Sequence, residues 1–138
     1  MVKLITLKDK IRYRVKRSKD TVFLLKDFDD ITDRNQAGRI LRELIKDKLL
    51  MKIGYGLYSK AKIDRIDNEV LPEKGLIGAG KEALRKLGIK IYPSTYETMY
   101  NNFQSTQVPT GRVIGVKSRI TRKISEGGYS LRYDRLRA

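Results

Sequence analysis

Apolar residues spaced three or four apart alternate along this chain with runs spaced two apart, a pattern that predicts helices interleaved with short strands. Leu4, Leu7, Ile11 and Val15 recur at helical spacing, and Thr6 with Asp9 three residues on resembles a capping box. Val22 and Phe23 favour an extended stretch. "LLKDFDDI" predicts one short helix with Leu25 and Phe28 inward. Thr32 or Asp33 can cap the next helix, in which Ala37, Ile40, Leu41, Leu44 and Ile45 form a continuous apolar face. "LLMKIGYGLYSK" then alternates about Gly54-Tyr55-Gly56, where glycine permits positive φ, and predicts a β-hairpin.

Residues 61–75 are polar and charge-balanced, with Pro72 and Gly75 as breakers, and predict a linker. Ala79, Ala83, Leu84 and Leu87 mark a helix that Gly88 ends. "IKIYP" predicts a short strand. A helix capped at Ser94 or Thr95 follows, with Tyr96, Met99, Tyr100 and Phe103 as a core stripe. "GRVIGVK", "RITRKIS" and "YSLRYDR" predict an antiparallel meander. The expected architecture is α+β. An N-terminal winged helix-turn-helix over residues 1–62 and a linker over 63–75 precede a small C-terminal domain, 76–138, of two helices and an antiparallel sheet.

Charge changes this picture most. Lys and Arg number 31 against 16 Asp and Glu, a net charge of +15 over 138 residues. Residues 1–62 carry 17 basic and 8 acidic groups, residues 63–110 carry 6 of each, and residues 111–138 carry 8 and 2. Basic ends around a neutral middle point to a polyanionic partner, most often nucleic acid, rather than to general solubility. The chain has no Cys and no His, which excludes disulfides, thiolate metal sites and every His-based nucleophile arrangement. No apolar run approaches the roughly 20 residues of a membrane span, and the N-terminus lacks the apolar block of a signal peptide. The expectation is a cytoplasmic protein that is not an enzyme and holds no metal or cofactor. The acidic cluster Asp27, Asp29 and Asp30 reads as a solvated surface, without the spacing of a calcium loop. "GAGKE" lacks the spacing of a phosphate-binding loop.

Arg34, Asn35, Gln36, Arg39, Arg42 and Lys46 lie opposite the apolar face of the second long helix. Arg pairs bidentately with guanine, and Asn or Gln with adenine. A helix-turn-helix presents such a helix start to the major groove. Lys52, Tyr55 and Lys60 would line the hairpin as a wing along the phosphate backbone, and Lys8 or Arg12 would touch backbone as well. Alternative readings are a structured-RNA binder, or a protein-interaction module acting through the basic C-terminal sheet.

The stretch "VFLLKDFDDITDRNQAGRILRELIKDKLLMKIGYGLYSK" resembles the winged-helix region of AbiEi-type antitoxins of type IV toxin–antitoxin systems. Asp27-Phe28 stands for the family's short helix, Arg34-Asn35 for its helix start, and Gly54, Gly56 and Tyr58 for its wing. Pro93-Ser94 and Ser105 to Pro109 match a second motif. The chain departs from the family at Met99 to Gln104, where relatives carry an Ala-Leu-x-x-Leu-Gly-Leu helix. The resemblance implies a DNA-binding autoregulator that represses its own operon; the expected site is an inverted repeat in double-stranded DNA, as winged helices often bind in pairs. The resemblance also implies a nucleotidyltransferase-type toxin, countered without a stable complex.

Overall fold

The structure is a computed structural model that describes residues 6–102, 112–126 and 128–136. It is α+β, in two compact units, Met1–Glu73 and Lys74–Ala138.

The first unit opens with α1 (Leu7–Arg17). The Thr6 hydroxyl accepts from the Asp9 N–H at 3.0 Å, and the Asp9 carboxylate accepts from the Thr6 N–H at 3.2 Å. This reciprocal cap satisfies two donors that a helix start leaves without partners. Ile11 and Val15 are buried; Leu4 lies outside the described residues. After β1 (Val22–Leu24) the chain tightens into a 3-10 turn, Leu25–Phe28, where the Asp27 carboxylate accepts from the Leu24 N–H at 2.9 Å. Asp33 caps α2 (Arg34–Lys46) by accepting from the Gln36 N–H at 2.8 Å. Ala37, Ile40, Leu41 and Leu44 of α2 join Ile11, Val15, Phe23, Phe28, Leu50 and Tyr58 in one core.

Strands β2 (Leu50–Gly54) and β3 (Leu57–Ile63) form the glycine hairpin, with Gly56 at φ +68°. The three strands run antiparallel in the order β1-β3-β2. The expected linker is part of this unit. β4 (Val70–Pro72) pairs with the far end of β3, Ala61 opposite Pro72 and Ile63 opposite Val70. Backbone pairing along a sheet edge needs no apolar side-chain signature, and an edge strand accommodates Pro72, so polar composition concealed the strand.

In the second unit, α3 (Gly75–Lys86) buries Leu76, Ala79, Gly80, Ala83 and Leu84. Gly80, from the "GAGKE" stretch, is a packing residue: a Cβ there would overlap Leu131 Cδ1 and meet Ile114 Cδ1 at 3.3 Å. Ser94 caps α4 (Thr95–Asn101), accepting from the Glu97 N–H at 3.2 Å. Met99 and Tyr100 are exposed, contrary to the expected core stripe, and Phe103 lies outside the described residues. "IKIYP" forms only a single bridge, Tyr92 to Gly115, instead of a strand.

The expected meander is also corrected. β5 (Val113–Val116) pairs in parallel with β8 (Arg132–Arg135), while β6 (Ser125–Glu126) and β7 (Tyr129–Ser130) form a separate two-residue antiparallel ladder. Alternation says where the chain is extended, not which strand it joins. Here the intervening chain buries Ile124 and Leu131, and the Leu131 N–H donates to the Ile124 carbonyl at 2.9 Å.

Candidate nucleic-acid interface

The apolar face of α2 sits in the core, so its other face is fixed outward. Asn35, Arg39, Arg42 and Lys46, spaced i, i+4, i+7 and i+11, point opposite the buried stripe and are all exposed. At about 1.5 Å rise per residue they run some 16 Å along the helix. None of the four side chains makes a hydrogen bond or ion pair among the described residues.

The other expected contacts are placed differently. Arg34 is exposed but leans to one side, its Nε and Nη2 each 3.4 Å from the Asp29 carboxylate. Gln36 is exposed on the other side, and its Oε1 accepts from the Thr32 hydroxyl at 3.5 Å. Lys8 Nζ lies 3.1 Å from Asp47 and 3.7 Å from Glu43, and Arg12 Nη2 lies 3.5 Å from Asp47. These two cations of α1 are therefore matched to carboxylates at the C-terminal end of α2. Lys60 stands opposite Leu50 at the base of the hairpin, not beside its tip, and its Nζ donates to the Ser18 carbonyl at 2.7 Å. The pairings of Lys8, Arg12 and Lys60 join residues 35 to 42 positions apart, a separation invisible to local patterns.

On the hairpin, Tyr55 is 84% exposed at the turn. Lys52 is exposed and stands directly across from Tyr58. Tyr58 is buried, and burial pushes its phenol up while the nearby Arg42 charge pulls it partly back. Tyr58 thus pairs across the hairpin with Lys52 and feels the charge of Arg42 on α2. The sequence showed each residue, but their adjacency needs the register. A bulge between Lys52 and Gly54 shifts that register by one residue before the turn.

The acidic cluster is occupied by structural contacts. Arg14 donates to both Asp30 oxygens, at 2.5 and 2.7 Å, and to the Asp27 carbonyl at 2.9 Å. The Arg14 hydrogen bond holds the Asp30 carboxyl below its usual range and raises the guanidinium. Asp29 takes Arg34 and Asp27 takes the Leu24 N–H.

No helix among the described residues is long and apolar enough to cross a membrane. Neither a curated protein nor a solved structure matches the chain. A family model matches residues 7–136, which hold every element described above, and the chain belongs to that family, a family of unknown function, DUF6088.

Proposed function

We propose that the first unit is a winged helix-turn-helix that binds double-stranded DNA, with α2 as recognition helix and the β2–β3 hairpin as wing. One observation carries this reading: the outward face of α2 keeps the side chains of Asn35, Arg39, Arg42 and Lys46 without hydrogen bonds or ion pairs among the described residues, while Lys8, Arg12, Arg14, Arg34 and Lys60 are held by the fold. A helix of this width suits B-DNA's major groove, about 12 Å wide, and Arg and Asn are the side chains that read guanine and adenine edges there. Lys52 and Tyr55 continue the surface toward the backbone.

The biological reading is a transcriptional repressor at an inverted repeat in its own operon. The resemblance to AbiEi-type antitoxins supports that role and a nucleotidyltransferase-type toxin as the opponent.

The test is duplex binding by two single variants at matched salt. Arg39→Ala flattens preference among candidate operator sequences, losing about 1–3 kcal/mol of base discrimination. Lys52→Ala weakens all duplexes alike and lowers the salt slope by about one. Equal effects from both variants, or preference for structured RNA over every duplex in direct competition, would overturn the reading.

A further inference from the structure

The β3–β4 hairpin carries a second exposed surface of opposite character. β2 begins at Leu50, opposite Lys60, so β3 beyond Ala61 runs on with β4 along one edge. The six-residue connection is ordered by its own hydrogen bonds. The Asp64 N–H donates to the Glu69 carbonyl at 2.8 Å and the Asn68 N–H to the Asp64 carbonyl at 2.9 Å. The Asp64 carboxylate accepts from the Ile66 N–H at 2.8 Å, and that of Asp67 from the Glu69 N–H at 3.1 Å. Asn68 takes φ +60°, which closes the turn.

This built turn displays an isoleucine outward. Ile66 is 94% exposed and Ile63 49%. Within the connection that carries Ile66, residues 64–69, Asp64, Asp67 and Glu69 stand against Arg65, and Lys62 is the next cation along β3. None of these charges forms an ion pair among the described residues, although the chain has nearly two cations for every carboxylate. By contrast, Asp29, Asp30, Glu43 and Asp47 of the same unit all find cations.

We propose that this hairpin end is a contact for a second copy of the chain, with Ile66 as apolar anchor and the surrounding carboxylates meeting the partner copy's basic surface. Two features single out this occupant. An acidic rim repels a phosphate backbone, so nucleic acid does not cover it. The rest of the chain is strongly basic, so a second copy offers the complementary potential. A rigid apolar residue ringed by charge is the usual form of an interface anchor and its polar rim.

Sedimentation of the full chain without DNA tests this directly. The wild type self-associates, more weakly as salt rises. Ile66→Asp weakens association by about tenfold or more, as removal of an interface anchor does. Asp67→Lys combined with Glu69→Lys weakens it as well. Ile66 is exposed, so an unchanged melting temperature accompanies the loss. Because the chain has no cysteine, a nitroxide on Ile66→Cys can be mixed with isotope-labelled copies that lack it. Broadening of signals from basic segments of the labelled copies supports the contact. A chain that stays monomeric, association indifferent to Ile66→Asp, or an absence of intermolecular broadening overturns it. DNA binding without self-association would leave the proposed function standing and remove this contact; self-association without DNA binding would do the reverse.

Discussion

Arg14 and Tyr58 give this fold its clearest residue-scale dependence on pH. The Asp30 carboxyl is held below its usual range by Arg14, so the folded state favours the ionised form. Its contribution is complete above the unfolded carboxylate value, about 3.9, and is lost as pH falls through the lower folded value. Arg14→Gln therefore flattens the acid side of a melting-temperature profile, and an unaltered acid limb would refute the assignment. Tyr58 and Tyr133 behave oppositely, because burial raises both phenols. Their contribution is complete below the ordinary phenol value, about 10, and is lost as pH rises through the raised values. Tyr58→Phe shallows the alkaline decline in melting temperature, and Tyr133→Phe shallows it further. At the same scale, Asp33→Ala removes the cap of α2 and costs about 1 kcal/mol in denaturant unfolding.

Elements differ in what they ask of their glycines. Gly38 lies inside α2, and a Cβ there would stand 3.9 Å from Leu25 Cδ2, an ordinary contact. Helix propensity then decides, and Gly38→Ala stabilises by up to about 1 kcal/mol. Gly80 has the same propensity to gain inside α3, but its Cβ would overlap Leu131, which is buried beside Ile114. Overpacking costs about 1–3 kcal/mol and outweighs the propensity term, so Gly80→Ala destabilises. Opposite shifts in the two denaturation midpoints check both assignments; stabilisation by both substitutions would show that Leu131 yields. Gly115 is less forgiving, since its Cβ would lie 2.5 Å from the Tyr92 carbonyl oxygen, a backbone atom that cannot rotate away as the Leu131 side chain can.

At the scale of the whole molecule, charge is segregated along the chain. The basic first 62 and last 28 residues flank a neutral segment that includes the acid-rimmed hairpin. Under the proposed function, Arg39, Arg42, Lys46 and Lys52 neutralise phosphates or read bases beside them. If all four act on phosphates, the affinity for non-specific duplex falls with a log–log salt slope of about −3 to −4 per bound copy. A slope near zero would disconnect the α2 surface from polyanions. The six exposed cations of residues 112–136, among them Arg112 stacked 3.9 Å over the Tyr129 ring, would add to that slope wherever they reach the same duplex.

Local chemistry alone determined the cap at Thr6, narrowed those of α2 and α4 to Thr32 or Asp33 and to Ser94 or Thr95, and determined the apolar faces of α1, α2 and α3 and the glycine turn at residues 54–56. Each depends on neighbours within a few positions, and helical period and turn residues report such neighbours directly. The outward direction of Asn35, Arg39, Arg42 and Lys46 was legible for the same reason, since burying one face fixes the other. Tertiary structure decided which cations remain available. Lys8, Arg12 and Lys60 are matched by groups 35 or more positions away, and no periodicity encodes a partner at that distance. It also decided strand partners: β4 joins β3, and β5 joins β8 in parallel, because pairing is made by backbone groups that every residue carries.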